Sequence, residues 1–244
     1  MFSFFRKPAH LLSYSFLAVD LHSHLIPGID DGAKTIEDSL ALIRALHGLG
    51  YRKLITTPHV MSDLYPNGPE NIREGLKALR QAIKWEGIEI EIEAAAEYML
   101  DEMFSEKLEA GQLLTLPGKR VLVEMSFVSP PMELDSLLFR IQSRGYQPLL
   151  AHPERYLFFK DNFSKYLELK ERGCEFQLNI LSLTGYYGKP VKDNAYRLLK
   201  EGLIDFLGTD LHHERHAEQL RLALEDRRLA SALLKHKFAN RELL

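Results

Sequence analysis

The sequence predicts an α/β fold on a parallel sheet, folded as one domain. Three observations point there. Short apolar strand signals alternate with helical periodicity along the chain. Glycines close several of the helices shortly before the next strand signal. Polar and ionisable side chains stand just past the end of each strand. Repeated βα units require parallel pairing, because parallel neighbours need a long crossover.

The elements follow in order. Residues 17–21 read as a short buried strand. Thr35 caps the next helix, with Asp38 three residues on and Ile36, Leu40 and Ile43 on one face. Gly48 and Gly50 end it. Residues 54–57 form a second strand, stopped by Pro58. A helix with Ile72, Leu76, Leu79 and Ile83 on one face follows. Residues 88–94 alternate Ile and Glu, the period of a half-buried strand. Residues 121–124 make a fourth strand, and Leu134, Leu137, Leu138 and Ile141 mark a helix closed by Gly145. Residues 149–151 are a strand, and a helix then runs to Gly173. Residues 175–179 are the sixth strand, 192–200 a helix ended by Gly202, and 205–208 the seventh strand. A basic, leucine-rich helix follows to the C-terminus.

Seven strands with helical crossovers make a sheet that is either open or closed into a barrel. The open doubly wound form often carries a Gly-rich dinucleotide fingerprint, and Gly28 and Gly32 around Asp30-Asp31 lack its spacing. No low-complexity linker or clear repeat divides residues 1–244, so they read as one domain, with 1–15 as an N-terminal extension.

Composition narrows the function. The 244 residues are 45% hydrophobic and 27% charged with a net charge of -3, ordinary values for a soluble globular protein. There is no basic excess for nucleic acid and no run of eighteen apolar residues to span a membrane. One cysteine, Cys174, excludes an intramolecular disulfide and fits a reducing, cytoplasmic setting. Phe5, Arg6 and Lys7 ahead of residues 10–19 faintly resemble a secretory leader. Pro8, His10, Ser13, Tyr14 and Ser15 interrupt its apolar part, and cleavage near Ala18 would remove the first strand. The segment is therefore expected to stay.

The chemistry lies at the strand ends. His22, His24 and Asp31 follow the first strand, His59 the second, Glu97 the third and Glu124 the fourth. His152 and Arg155 follow the fifth, and Asp210 and His212 the seventh. The sixth offers only Asn179. Loops at the carboxyl ends of parallel strands converge, so nine potential metal ligands share one face. Each has a plain alternative: Asp30-Asp31 beside Gly32 suits a turn, and His59 alone suits a structural role. Together at successive strand ends they are hard to explain that way. Imidazole and carboxylate without thiolate suit Mn, Fe, Zn or Mg. Nine ligands exceed one tetrahedral ion and fit two or three, an arrangement suited to phosphoryl transfer.

In order, Asp20-Leu-His22-Ser-His24, Asp30-Asp31-Gly32, Thr57-Pro-His59, Ala96-Glu97-Tyr98, Val123-Glu124-Met125, Ala151-His152-Pro-Glu154-Arg155 and Thr209-Asp210-Leu-His212 resemble the motifs of the PHP (polymerase and histidinol phosphatase) superfamily. They are most similar to its bacterial tyrosine phosphatases of capsular and extracellular polysaccharide synthesis. The resemblance covers about residues 16–215. It implies a distorted seven-stranded β/α barrel of TIM-like kind. It also implies three metal ions, often manganese, on His22, His24, Asp31, His59, Glu97, Glu124, His152, Asp210 and His212. Arg155, Asp210 and His212 are then the catalytic candidates, with Arg155 as the phosphate-binding arginine. Arg215 is a second substrate-binding candidate, at a shorter spacing than the family pattern. Tyr65, Tyr98, Tyr186 and Tyr187 are candidate rim residues.

The implied partner is a tyrosine-phosphorylated protein, a bacterial autokinase at the inner membrane. Some relatives form homo-oligomeric rings through the helix at 35–49, whose apolar face equally suits core packing. The basic residues of 221–228 suit a solvated helix face. A cysteine phosphatase is excluded, since Ile180 stands where Cys-x5-Arg needs arginine after Cys174. The same ligands would also serve a phosphatase of small monoesters such as histidinol phosphate, or a non-catalytic metal-stabilised binding domain.

Overall fold

The computed structural model describes residue 11 and residues 13–244. The secretory-leader reading and most of the N-terminal extension lie outside the described residues. Leu11 and Tyr14 are buried, and the Tyr14 hydroxyl donates to the Leu220 carbonyl at 2.9 Å.

Nine strands form among the described residues: β1 (Val19–Asp20), β2 (Lys53–Thr56), β3 (His59–Val60), β4 (Glu91–Ala94), β5 (Glu97–Met99), β6 (Arg120–Glu124), β7 (Gln147–Ala151), β8 (Glu175–Asn179) and β9 (Phe206–Gly208). All pair in parallel, in two sheets of order β1-β2-β4 and β3-β5-β6-β7-β8-β9. The α/β expectation with parallel strands holds. Two of the seven expected strands are each split in two. Pro58 interrupts rather than ends the second, and Ala95-Ala96 interrupt the third. Pairing carries across the breaks, as Ala95 N donates to Thr56 O at 2.9 Å and Glu97 N to Pro58 O at 3.1 Å. No ladder closes the sheets among the described residues; a single bridge, Ser23 to Leu211, links their outer edges.

The helices are α1 (Ile36–Gly48), α2 (Pro69–Trp85), α3 (Glu102–Ala110), α4 (Leu134–Ser143), α5 (Ser164–Glu171), α6 (Ile180–Thr184), α7 (Lys189–Lys200), α8 (Glu214–Ala223) and α9 (Arg227–Leu233). Thr35 and Asp38 form the expected capping box on α1. The stripe Ile72, Leu76, Leu79 and Ile83 of α2 is buried, as its spacing demands. The expected single C-terminal helix is instead two, separated where Asp226 caps α9 through the amides of Arg228 and Leu229. The larger core packs helices on the sheets, and a smaller one gathers Val19, Leu21, Ile55, Leu122, Leu149 and Phe206. No helix is long and apolar enough to cross a membrane among the described residues.

Candidate metal centre

The strand ends bring all nine expected donors together. They fall into four overlapping groups whose ligand atoms lie within 4.8 Å of one another. These are His24, Asp31, His59 and His212; His22, Glu97 and His152; His22, His24 and Asp210; and His59, Glu97 and Glu124. Sheet register explains much of this. His59 pairs with Glu97 across β3 and β5, and Met99 with Glu124 across β5 and β6. Glu97 sits at the middle: Oε2 is 3.1 Å from His22 Nε2 and 3.1 Å from His59 Nδ1, and Oε1 is 3.0 Å from His152 Nε2.

A buried polar atom normally has a hydrogen-bond partner. His22 Nε2, His24 Nε2, His59 Nδ1, Glu97 Oε2 and Glu124 Oε1 have none. They face one another at short range without hydrogen-bond geometry, so their lone pairs converge on shared points. That is the donor set a hard-to-borderline divalent ion needs. Two of the contributing residues carry backbone strain, His152 at φ 36 and Asp210 at φ 50, in a region that non-glycine residues seldom occupy. Gly32 has no room for a side chain, since a Cβ there would stand 2.3 Å from the His24 carbonyl oxygen.

Supporting contacts orient the rings. Asp30 Oδ2 lies 2.8 Å from His24 Nδ1, and Gln177 Oε1 lies 2.8 Å from His22 Nδ1. Each turns the opposite ring nitrogen toward the cluster. Burial disfavours charge on every group here, yet mutual attraction reverses it for several. Burial works against the His22 imidazolium, but Glu97 and Asp210 raise its pKa to about 9. Burial also opposes the Glu97 and Asp210 carboxylates, and the neighbouring histidines hold both well below the usual range. Burial and the charge of Glu97 lift Glu124 to about 7. Burial and Arg155 push His152 down to about 4.

The cluster floors a cavity of about 590 Å³. Arg155 lines it, with Nη1 donating to Asp210 Oδ2 at 3.0 Å. The guanidinium lies over the Phe127 ring at 4.4 Å and the Tyr187 ring at 4.5 Å. Leu64, Tyr65, Phe127 and Val128 give the cavity an apolar rim. Arg215 lines a separate cavity of about 460 Å³ that shares Asp31, His212 and His213 with the first. Tyr65 and Tyr187 stand on the main cavity as expected. Tyr98 does not: it is buried, and its hydroxyl accepts from Leu114 N at 2.7 Å. Cys174 is buried and its pKa is pushed up to about 12 by burial.

Sequence reasoning named Asp30 and Glu154 only within motifs, without a role in the site, and did not single out Gln177 or Phe127. Alternation pointed to Gln177, since it shares a strand face with Asn179 while Phe176 and Leu178 take the other. Glu154, fully buried, accepts from Asn179 N at 3.0 Å and Ser182 Oγ at 2.6 Å.

Known proteins resemble this chain in sequence and in fold. The chain is 34% identical over 196 residues to tyrosine-protein phosphatase YwqE of Bacillus subtilis, covering 80% of this chain and 77% of that one. It is 30% identical over 203 residues to tyrosine-protein phosphatase CpsB of Streptococcus pneumoniae, covering 80% and 83%. A crystal structure among those of YwqE from B. subtilis and CpsB from S. pneumoniae, described as unique metal-dependent tyrosine phosphatases, superposes with a TM-score of 0.78. It is 29% identical and covers 90% of this chain and 96% of that one. Histidinol phosphate phosphatase from Lactococcus lactis shares the fold alone, at a TM-score of 0.51 and 13% identity over 86% of this chain and 94% of that one. The family profile for capsular polysaccharide synthesis, CpsB/CapC, matches residues 18–225. With most of its length matched and its strand-end donors in place, the chain belongs to the CpsB/CapC family.

Proposed function

We propose that this chain is a metal-dependent phosphatase that removes phosphate from tyrosine side chains of proteins. The observation that carries this is the convergence of unpartnered buried imidazole and carboxylate atoms beside Arg155, under an apolar rim. The relatives' activity supports it. The residues fit two or three divalent ions, manganese first, with iron, zinc or magnesium as alternatives. His22, His24, Asp31, His59, Glu97, Glu124, His152, Asp210 and His212 would hold them. In this reading residues 1–244 act as one domain, and the two sheets are one distorted seven-stranded barrel. The Ser23–Leu211 bridge and the pairing that continues past Pro58 and Ala95-Ala96 support that shape.

Bound ions would supply an activated water and neutralise charge on the phosphoryl oxygens. The chain's own residues do the rest. Asp210, Phe127 and Tyr187 fix the plane of Arg155 before substrate arrives, so its remaining N–H groups donate to phosphate oxygens without further ordering. Glu97 and Asp210 stay ionised and hold charge at the centre of the site. Leu64 and Val128, 70% and 85% exposed, offer apolar surface to the carbon part of the substrate. That rim favours an aryl ester over a small polar one such as histidinol phosphate. A phenolate leaves readily, so no strong general acid is required. The partner in this reading is a tyrosine-phosphorylated autokinase of capsular or extracellular polysaccharide synthesis, met in the cytoplasm. Arg215 would contact the substrate only beyond the main cavity.

The test is phosphate release from a phosphotyrosine peptide, beside a phosphoserine peptide and histidinol phosphate, on stripped protein before and after Mn²⁺ is restored. Mn²⁺-dependent turnover that favours phosphotyrosine is expected. Preference for histidinol phosphate would move the site to small monoesters, and no turnover with a full metal complement would leave a binding role.

A further inference from the structure

Six of the seven strand ends expected from the sequence carry donors of the cluster, and the remaining one, the end of β8, carries Asn179. We propose that Asn179 is a positioning residue that fixes the Asp210 carboxylate, and through it Arg155; this rests on the reading of the cluster as a divalent-metal site. Asp210 has two oxygens with separate surroundings. Oδ1 faces His22 Nε2 at 3.3 Å and His24 Nε2 at 3.5 Å. Oδ2 accepts from Asn179 Nδ2 at 3.0 Å and from Arg155 Nη1 at 3.0 Å. One oxygen is thus turned to the donors and the other is held away from them.

The Asn179 amide is oriented by its own surroundings. Oδ1 accepts from Leu181 N at 2.8 Å and caps α6, so the opposite end is the N–H₂ donor. The backbone is pinned as well, with Asn179 N donating to the buried Glu154 carboxylate at 3.0 Å. Nδ2 also reaches the Tyr187 hydroxyl at 3.2 Å, and the Tyr187 ring lies against the Arg155 guanidinium. A side chain so anchored resists rotation of the Asp210 carboxylate, whose backbone is strained at φ 50. Contacts of this kind around a metal ligand are commonly worth about ten- to a hundredfold in metal affinity or activity.

Two variants separate this role from helix capping. Asn179→Ser keeps a capping oxygen but is too short to reach Asp210. Asn179→Asp keeps size and cap but replaces the donor with an oxygen facing Oδ2. The measurement is Mn²⁺ titration of stripped protein by calorimetry, with thermal unfolding of the stripped protein beside it. Expected is a fall in Mn²⁺ affinity of about tenfold or more for both variants, with stripped Asn179→Ser melting within about 2 °C of the parent. Inorganic phosphate should also inhibit Asn179→Ser more weakly, because Arg155 is then held through a less firmly oriented Asp210. Mn²⁺ isotherms within about twofold of the parent in both variants overturn the assignment, whatever the turnover does. The isotherm does not depend on which ester is hydrolysed, so it fails or succeeds separately from the tyrosine phosphatase reading.

Discussion

The amino and carboxyl ends of the strands handle buried polarity in opposite ways. At the amino ends, Asn240 is fully buried and fully used. Its Oδ1 accepts from Leu207 N at 3.0 Å, and its Nδ2 donates to Val19 O at 3.0 Å and Leu207 O at 2.7 Å. Lys53, 5% exposed, meets Glu91 at 3.3 Å and Glu93 at 3.2 Å, and Arg120 Nε meets Glu175 at 2.7 Å. At the carboxyl ends, five ligand atoms are buried without partners. The cost of an unpaired buried polar atom is about 1–3 kcal/mol, so such a cluster persists only if something else offsets it. One end holds the fold, and the other holds polarity in reserve for a ligand.

Four experiments test that contrast, in order of decreasing effect. Glu97→Gln removes the central charge of the cluster, and kcat/KM for a phosphotyrosine peptide should fall by more than about a hundredfold. Activity retained within tenfold would mean that Glu97 is not at the centre. Restoring Mn²⁺ to stripped protein at about 100 times its dissociation constant should add about 2.7 kcal/mol of stability. That corresponds to a rise of about 5–10 °C in thermal unfolding. A flat melting temperature would sink the idea that a metal satisfies the carboxyl end. Asn240→Ala should do the reverse of Glu97→Gln. It costs about 2–4 kcal/mol in urea unfolding and leaves kcat/KM within about twofold, since the residue lies away from the cavity; a large loss of rate in folded protein would couple the two ends. Cys174→Ala should change kcat/KM least of all, within about twofold, because the thiol is buried with its pKa near 12 and is absent from the cavity lining. Inactivation would reopen a thiol mechanism.

Much of the site was legible because ligand chemistry is local. A lone histidine or carboxylate past an apolar run has a plain explanation, but nine of them at successive strand ends do not, and residues 175–179 match β8 end to end. What was not legible depends on neighbours distant in sequence. Pro58 reads as a stop, yet β3 resumes one residue later because Glu97 of β5 waits to pair with His59. Composition and spacing do not separate Asp30 from Asp31, and only the family resemblance picks Asp31 as the ligand. The structure separates them, with Asp30 buried against His24 and Asp31 half-exposed between His59 and His212. Gln177 is uncharged, so it drew no attention, though it aims the His22 ring. Phe127 reads as loop filler until its ring is seen against Arg155.

The link between the first and last strands carries a consequence for how the protein is made. Thr209 donates through N to Asp20 Oδ1 at 2.9 Å and through Oγ1 to Asp20 Oδ2 at 2.8 Å, across 189 residues of chain. Contacts so far apart in sequence form late, after their closure entropy is offset by other pairing. His22 and His24 leave the ribosome early but cannot meet Asp210 and His212 until nearly the whole chain has emerged. Until then the two donor groups that include Asp210 or His212 are incomplete. The full set of nine donors therefore closes only when the two edges have met.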